Sequence, residues 1–182
     1  MDRDYVYESR ETKKVVNIPI SLYKSMQGKY FAGLSREEFG NGKYAWAGLI
    51  NPKNSGVNLH VNVFTVGNVS KIPFSFQIWL NSCLLSGTAK LTDMVSAANT
   101  SLKPIPKPKI QFLYAENVND LPMGGTLIFG RRVPEETTIV SEEDGKFICP
   151  PGGNFVVNCL PPEKGNEKIL ARVAFGWWEE RV

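Results

Sequence analysis

The chain has one histidine and three cysteines in 182 residues. A Ser-His-Asp or Cys-His site would have to use His60, which lies between Asn58 and Asn62 in an alternating stretch, with no nucleophile elbow near it. Cys83, Cys149 and Cys159 contain no Cys-x-x-Cys pair, so a Cys/His zinc centre lacks its ligands. Gly-x-x-x-x-Gly-Lys phosphate loops and Asp-rich calcium loops are also missing. The acids come as neighbours, Glu37-Glu38, Glu135-Glu136, Glu142-Glu143-Asp144 and Glu179-Glu180. Neighbours on a strand point to opposite faces, so they do not form the facing carboxylates of a glycosidase, and solvation is their expected role. The sequence thus predicts a non-enzyme with no metal and no cofactor.

Concentrated charge is missing as well. The net charge is +3, and Lys13-Lys14, the lysines of 103–109 and Arg131-Arg132 are small, separate groups. No nucleic-acid partner is expected. No apolar run approaches the ~20 residues that cross a bilayer, so no membrane insertion is expected either. Residues 1–14 have no apolar core. We therefore expect no signal peptide: synthesis in the cytoplasm, with a spore or cell surface reached only after release.

What the sequence does have is alternation. Val57, Leu59, Val61 and Val63 alternate with Asn58, His60 and Asn62, and Phe74, Phe76, Ile78 and Leu80 alternate with Ser75, Gln77 and Trp79. Each stretch has the period of a strand that buries one face. Gly67-Asn68-Val69-Ser70-Lys71 between them has hairpin length, which predicts a central hairpin with 56–66 exposed as a long edge. Further strands are expected at 44–50, 110–116, 125–129, 136–140, 154–160 and 169–178. Single helical turns are expected at 21–27 and at 35–39, where Ser35 and Glu38 resemble a capping box, and a short helix at 91–98. The Pro-Lys stretch 101–109 reads as a stiff crossing between sheets, with a proline-module ligand as the alternative. The fold class is all-β, an antiparallel β-sandwich or jelly roll of about eight or nine strands. Residues 20–182 form a single domain and residues 1–19 an extended N-terminal arm.

Candidate contacts follow from the faces. Tyr5 and Tyr7 lie on the arm, which suits strand addition to a neighbour. Trp79 and His60 lie on the non-core sides of their strands, and of the adjacent Trp177 and Trp178 one points outward. Such tryptophans serve as subunit contacts or as a glycan platform. The cysteines read as buried free thiols. The alternative is a disulfide, between subunits or between Cys149 and Cys159 across the turn at 150–153.

The stretches Ala45-Trp46-Ala47-Gly48-Leu49-Ile50-Asn51-Pro52 and 54–63, with the ending Ala171-Arg172-Val173-Ala174-Phe175-Gly176-Trp177-Trp178-Glu179-Glu180, resemble a domain-of-unknown-function family of spore-forming Firmicutes. That resemblance transfers no catalytic residue. In size and β-rich make-up the chain is also similar to the jelly-roll subunits of endospore appendage fibres, which implies joining through N-terminal arms and cysteines. The arm here contains no cysteine. The expectation is a structural protein that self-assembles into a fibre or another homo-oligomeric, surface- or spore-associated assembly. The alternatives are a carbohydrate- or cell-wall-binding module and a phage-like particle component.

Overall fold

The computed structural model describes residues 17–84, 89–162 and 167–182. Tyr5, Tyr7 and all but the end of the expected arm lie outside the described residues. The helix α1 (Ile20–Met26) comes first. Eleven strands follow among the described residues: β1 (Tyr30–Gly40), β2 (Tyr44–Ile50), β3 (Val57–Asn68), β4 (Phe74–Leu80), β5 (Lys90–Leu91), β6 (Val95–Ala97), β7 (Gln111–Val118), β8 (Thr126–Val133), β9 (Thr138–Cys149), β10 (Asn154–Leu160) and β11 (Lys168–Arg181). They form a five-stranded sheet ordered β6-β1-β11-β3-β9 and a six-stranded sheet ordered β5-β7-β2-β10-β4-β8. Every pairing is antiparallel. The two sheets make an antiparallel β-sandwich.

The alternating residues supply the two inner faces. Leu59, Val61 and Phe64 of β3, Phe76 and Ile78 of β4, Phe155 and Val157 of β10, and Val173 and Phe175 of β11 are buried in one cluster. Their rings meet largely edge to face, Phe64 on Phe76 at 6.1 Å and Phe155 on Phe175 at 6.0 Å, which suits the ring quadrupole. A bulge where β3 faces β9, between Val61 and Val63, shifts the alternation. Phe64 and Val66 therefore take the core positions that strict alternation assigns to Val63 and Thr65.

The central hairpin is corrected. β3 lies between β11 and β9 in one sheet, and β4 between β10 and β8 in the other, so 69–73 crosses between layers. Asn68 holds that crossing: its Nδ2 donates to the carbonyls of Ile72 (2.7 Å) and Pro134 (3.1 Å), and its Oδ1 accepts from Ser70 N–H. The stretch 56–66 is consequently no exposed edge, because β3 is paired on both sides. The expected turn at 35–39 is part of β1, and the expected helix at 91–98 is the short strands β5 and β6. Ser35 bonds the Glu37 carboxyl across a strand period, an interaction that a capping box would have directed to the backbone.

The Pro-Lys stretch does join β6 of one sheet to β7 of the other. Glu179 anchors its end, accepting the N–H groups of Lys109 and Ile110 at 3.0 Å and the indole N–H of Trp177 at 3.3 Å.

Candidate assembly surfaces

The helix α1 is built inside out. Ile18, Ile20, Leu22, Tyr23 and Met26 face solvent, Met26 at 60% exposure, while Lys24 is buried to 8%. Seven residues are too few for a helix to hold by propensity alone. What pins it is the Lys24 ammonium, which donates to Glu180 Oε1 and pairs with it. The apolar side chains of α1 therefore contribute little to the core, and their exposure needs a separate reason.

Around Glu180 lies the cluster that contains two of the expected contact residues. His60 Nε2 is 3.4 Å from Glu180 Oε2, and the imidazole stacks on Trp178 with centroids 5.1 Å apart. The Lys24 hydrogen bond, with the charges of Lys24, His60 and Lys29, holds the Glu180 carboxyl below its ordinary range. Trp178 is buried under this cover. Its ring presses on Gly145, where a Cβ would come within 1.9 Å of Cη2 and where φ is +75°. The expectation that the outward member of the Trp177-Trp178 pair is open surface is thus corrected. Trp177 points into the core, and the β9 excursion around Gly145 covers Trp178. Neither ring is available to a partner or a glycan, and His60 is mostly covered as well.

Trp79 differs. It is partly exposed on the outer face of the six-stranded sheet, with its Nε1 donating to Gln77 Oε1 at 3.0 Å. Trp46, on the same face, is fully buried beneath Leu84 and Leu121.

Solvation of the acid pairs is corrected for three residues. Glu37 is 1% exposed in the sandwich interior, where its Oε1 accepts from Ser35 and its Oε2 has no partner among the described residues. Burial pushes its carboxyl up to about 8. Glu143 is buried on Ser141 Oγ and Lys146, and Glu179 on the groups named above. In each case one member of an acidic pair turns inward because the strand alternates, and hydrogen bonds accompany the burial. The signal was present as parity relative to the apolar positions.

All three cysteines are free thiols, Cys149 and Cys159 buried and Cys83 exposed. The Cys149–Cys159 disulfide is not formed. Cys149 lies on β9 and Cys159 on β10, in different sheets. Burial raises Cys149 to about 12 and Cys159 well above its usual value, which makes both poor nucleophiles.

The remaining unpartnered features are edges and clefts. β8 and β9 are the outermost strands on one side of the sandwich. They leave Leu127, Ile128, Val140 and Ile148 exposed. A cleft of about 400 Å³ near β8 is lined by Ile72, Pro73, Phe74, Ser75, Arg132 and two further prolines, and brings no nucleophile to a base. Among the described residues, no group of three or more His, Cys, Asp or Glu could hold a metal. Among the same residues, no helix is long and apolar enough to cross a membrane.

No curated protein and no solved structure matches the chain. A family model matches residues 3–182, and on that match the chain belongs to the family described as a family of unknown function, DUF6143.

Proposed function

We propose that this chain is a non-enzymatic structural subunit that associates with copies of itself, in a fibre or another surface- or spore-associated assembly. The observation that carries this reading is α1, which turns four apolar side chains to solvent, with Ile18 just before it as a fifth, and buries its lysine. An isolated monomer gains nothing from that arrangement, whereas a second copy lying on the helix removes the apolar area from water. The likeness to appendage-fibre subunits supports the same reading, and so does the position of α1 directly after the segment expected to act as an arm. Replacing Leu22 and Met26 together with glutamate is expected to leave the thermal midpoint within a few degrees and to lower the mass in solution by removing the contact through α1. A wild-type protein that stays monomeric at every concentration contradicts the proposal.

Trp79 favours one second reading, a glycan- or cell-wall-binding module, because it is the one tryptophan left partly open on a sheet face. That reading expects Trp79→Ala to lose glycan retention on an array at unchanged mass.

A further inference from the structure

The edges β8 and β9 identify a specific mode of self-association. This inference rests on the structural-subunit reading above and adds the surface. The two strands are joined by the short connection 134–137, so they run in opposite directions on the same side of the sandwich. Each is the last strand of its sheet among the described residues. An outer strand presents a row of backbone N–H and C=O groups, and what completes such a row is another strand.

The chemistry of the two edges is complementary. Leu127 and Arg132 of β8 pair with Trp79 and Ser75 of β4, which puts them on the outer face of the six-stranded sheet. Val140, Glu142 and Ile148 of β9 pair with Thr65, Val63 and His60, on the outer face of the five-stranded sheet. All five are exposed. The β8 edge carries Arg131 and Arg132, and the β9 edge carries Glu142 and Asp144, with Glu135 and Glu136 just before it.

We propose that β8 of one copy pairs antiparallel with β9 of a second copy, and β9 with β8 in return, about a two-fold axis running along the strands. That operation keeps outer faces continuous with outer faces. It sets Leu127 beside Ile148 and brings Arg132 onto the same face as Glu142 of the second copy. The contact is isologous, so each pairing occurs twice, and the dimer has no open β8 or β9 edge left.

The test is a charge exchange followed by sedimentation velocity over a range of protein concentration at low salt. Arg132→Glu alone and Glu142→Arg alone are each expected to weaken dimerisation about tenfold, because one exposed ion pair is lost at two sites. The double variant Arg132→Glu with Glu142→Arg is expected to return to within about threefold of wild type, and high salt is expected to flatten the whole series. Leu127→Asp, paired with Ile148→Lys, gives a second exchange that does not depend on arginine. An oligomeric wild type whose mass none of these variants changes overturns the edge pairing while leaving self-association through α1 in place. A monomeric wild type overturns both. If the variants act only when residues 1–16 are present, the edge belongs to that segment, and the reciprocal pairing is overturned.

Discussion

The two lateral sides of the sandwich handle the same problem differently. On one side the outer strands are β5, with two residues, and β6, with three. Before β6 begins, Thr92 Oγ1 donates to Leu34 C=O, and further along β1 Glu116 Oε1 accepts Glu38 N–H at 3.2 Å. These contacts, with the Glu179-anchored crossing at 109–110, close the β5/β6 side. On the other side β8 has eight residues and β9 twelve, with apolar groups exposed on both. Short, side-chain-capped edges resist strand addition and long ones invite it. On the proposed reading the first side serves stability and the second association, and substitutions separate the two.

The largest effect is expected near the closed side, at Glu37 on β1. Its carboxyl is protonated in the folded interior up to about pH 8, but ionises at its ordinary value of 4.5 once unfolded. The stability it contributes is fully present below pH 4.5 and falls by up to ~1.4 kcal/mol per pH unit until the folded group ionises near pH 8. Urea unfolding of the wild type should therefore weaken through this window, and Glu37→Gln should be nearly flat across it. Next comes Glu179→Ala, which leaves the N–H groups of Lys109 and Ile110 and the Trp177 indole without their acceptor. A loss of ~3 kcal/mol is expected in the same assay, with no change in subunit mass in the folded fraction.

Lys24→Met should cost less. A thioether replaces a buried ion pair whose acid is partly solvated, so stability should stay within ~1 kcal/mol. The Glu180 carboxyl should rise toward its ordinary value, because the Lys24 hydrogen bond that lowers it is gone; a carboxyl-detected NMR titration reads this. The smallest change in folding is expected on the open side. Ile148→Lys should move the unfolding free energy by no more than ~0.5 kcal/mol while reducing association. A loss of folding stability there larger than that of Glu179→Ala would erase the distinction between the sides.

Much of the architecture was legible in the chain. The residue bounds of β2 and β10 are those the sequence predicts, because Tyr44 to Ile50 and Asn154 to Leu160 are apolar runs bracketed by turn residues. Which sheet a strand joins was not legible. Alternation states which side of a strand is buried, and β3 and β4 bury equivalent sides from opposite layers of the sandwich. β1 was hidden by Gly33 and by Ser35 with Glu37-Glu38, whose polarity imitates a helix start until Glu37 is placed in the core. The candidate assembly surfaces were harder still. Nothing local distinguishes Lys24, which is buried by a partner more than a hundred residues away, from any solvated lysine. Trp178 looked like surface because its cover, the β9 excursion at Gly145, comes from a different strand.

The most direct measurement is the mass of the full chain by sedimentation velocity across a wide concentration range, with reductant present so that Cys83 plays no part. A species at least twice the 20.3 kDa of one chain is expected, growing with concentration and reduced in mass in the Leu22→Glu, Met26→Glu double variant. A single 20.3 kDa species at every concentration would contradict it.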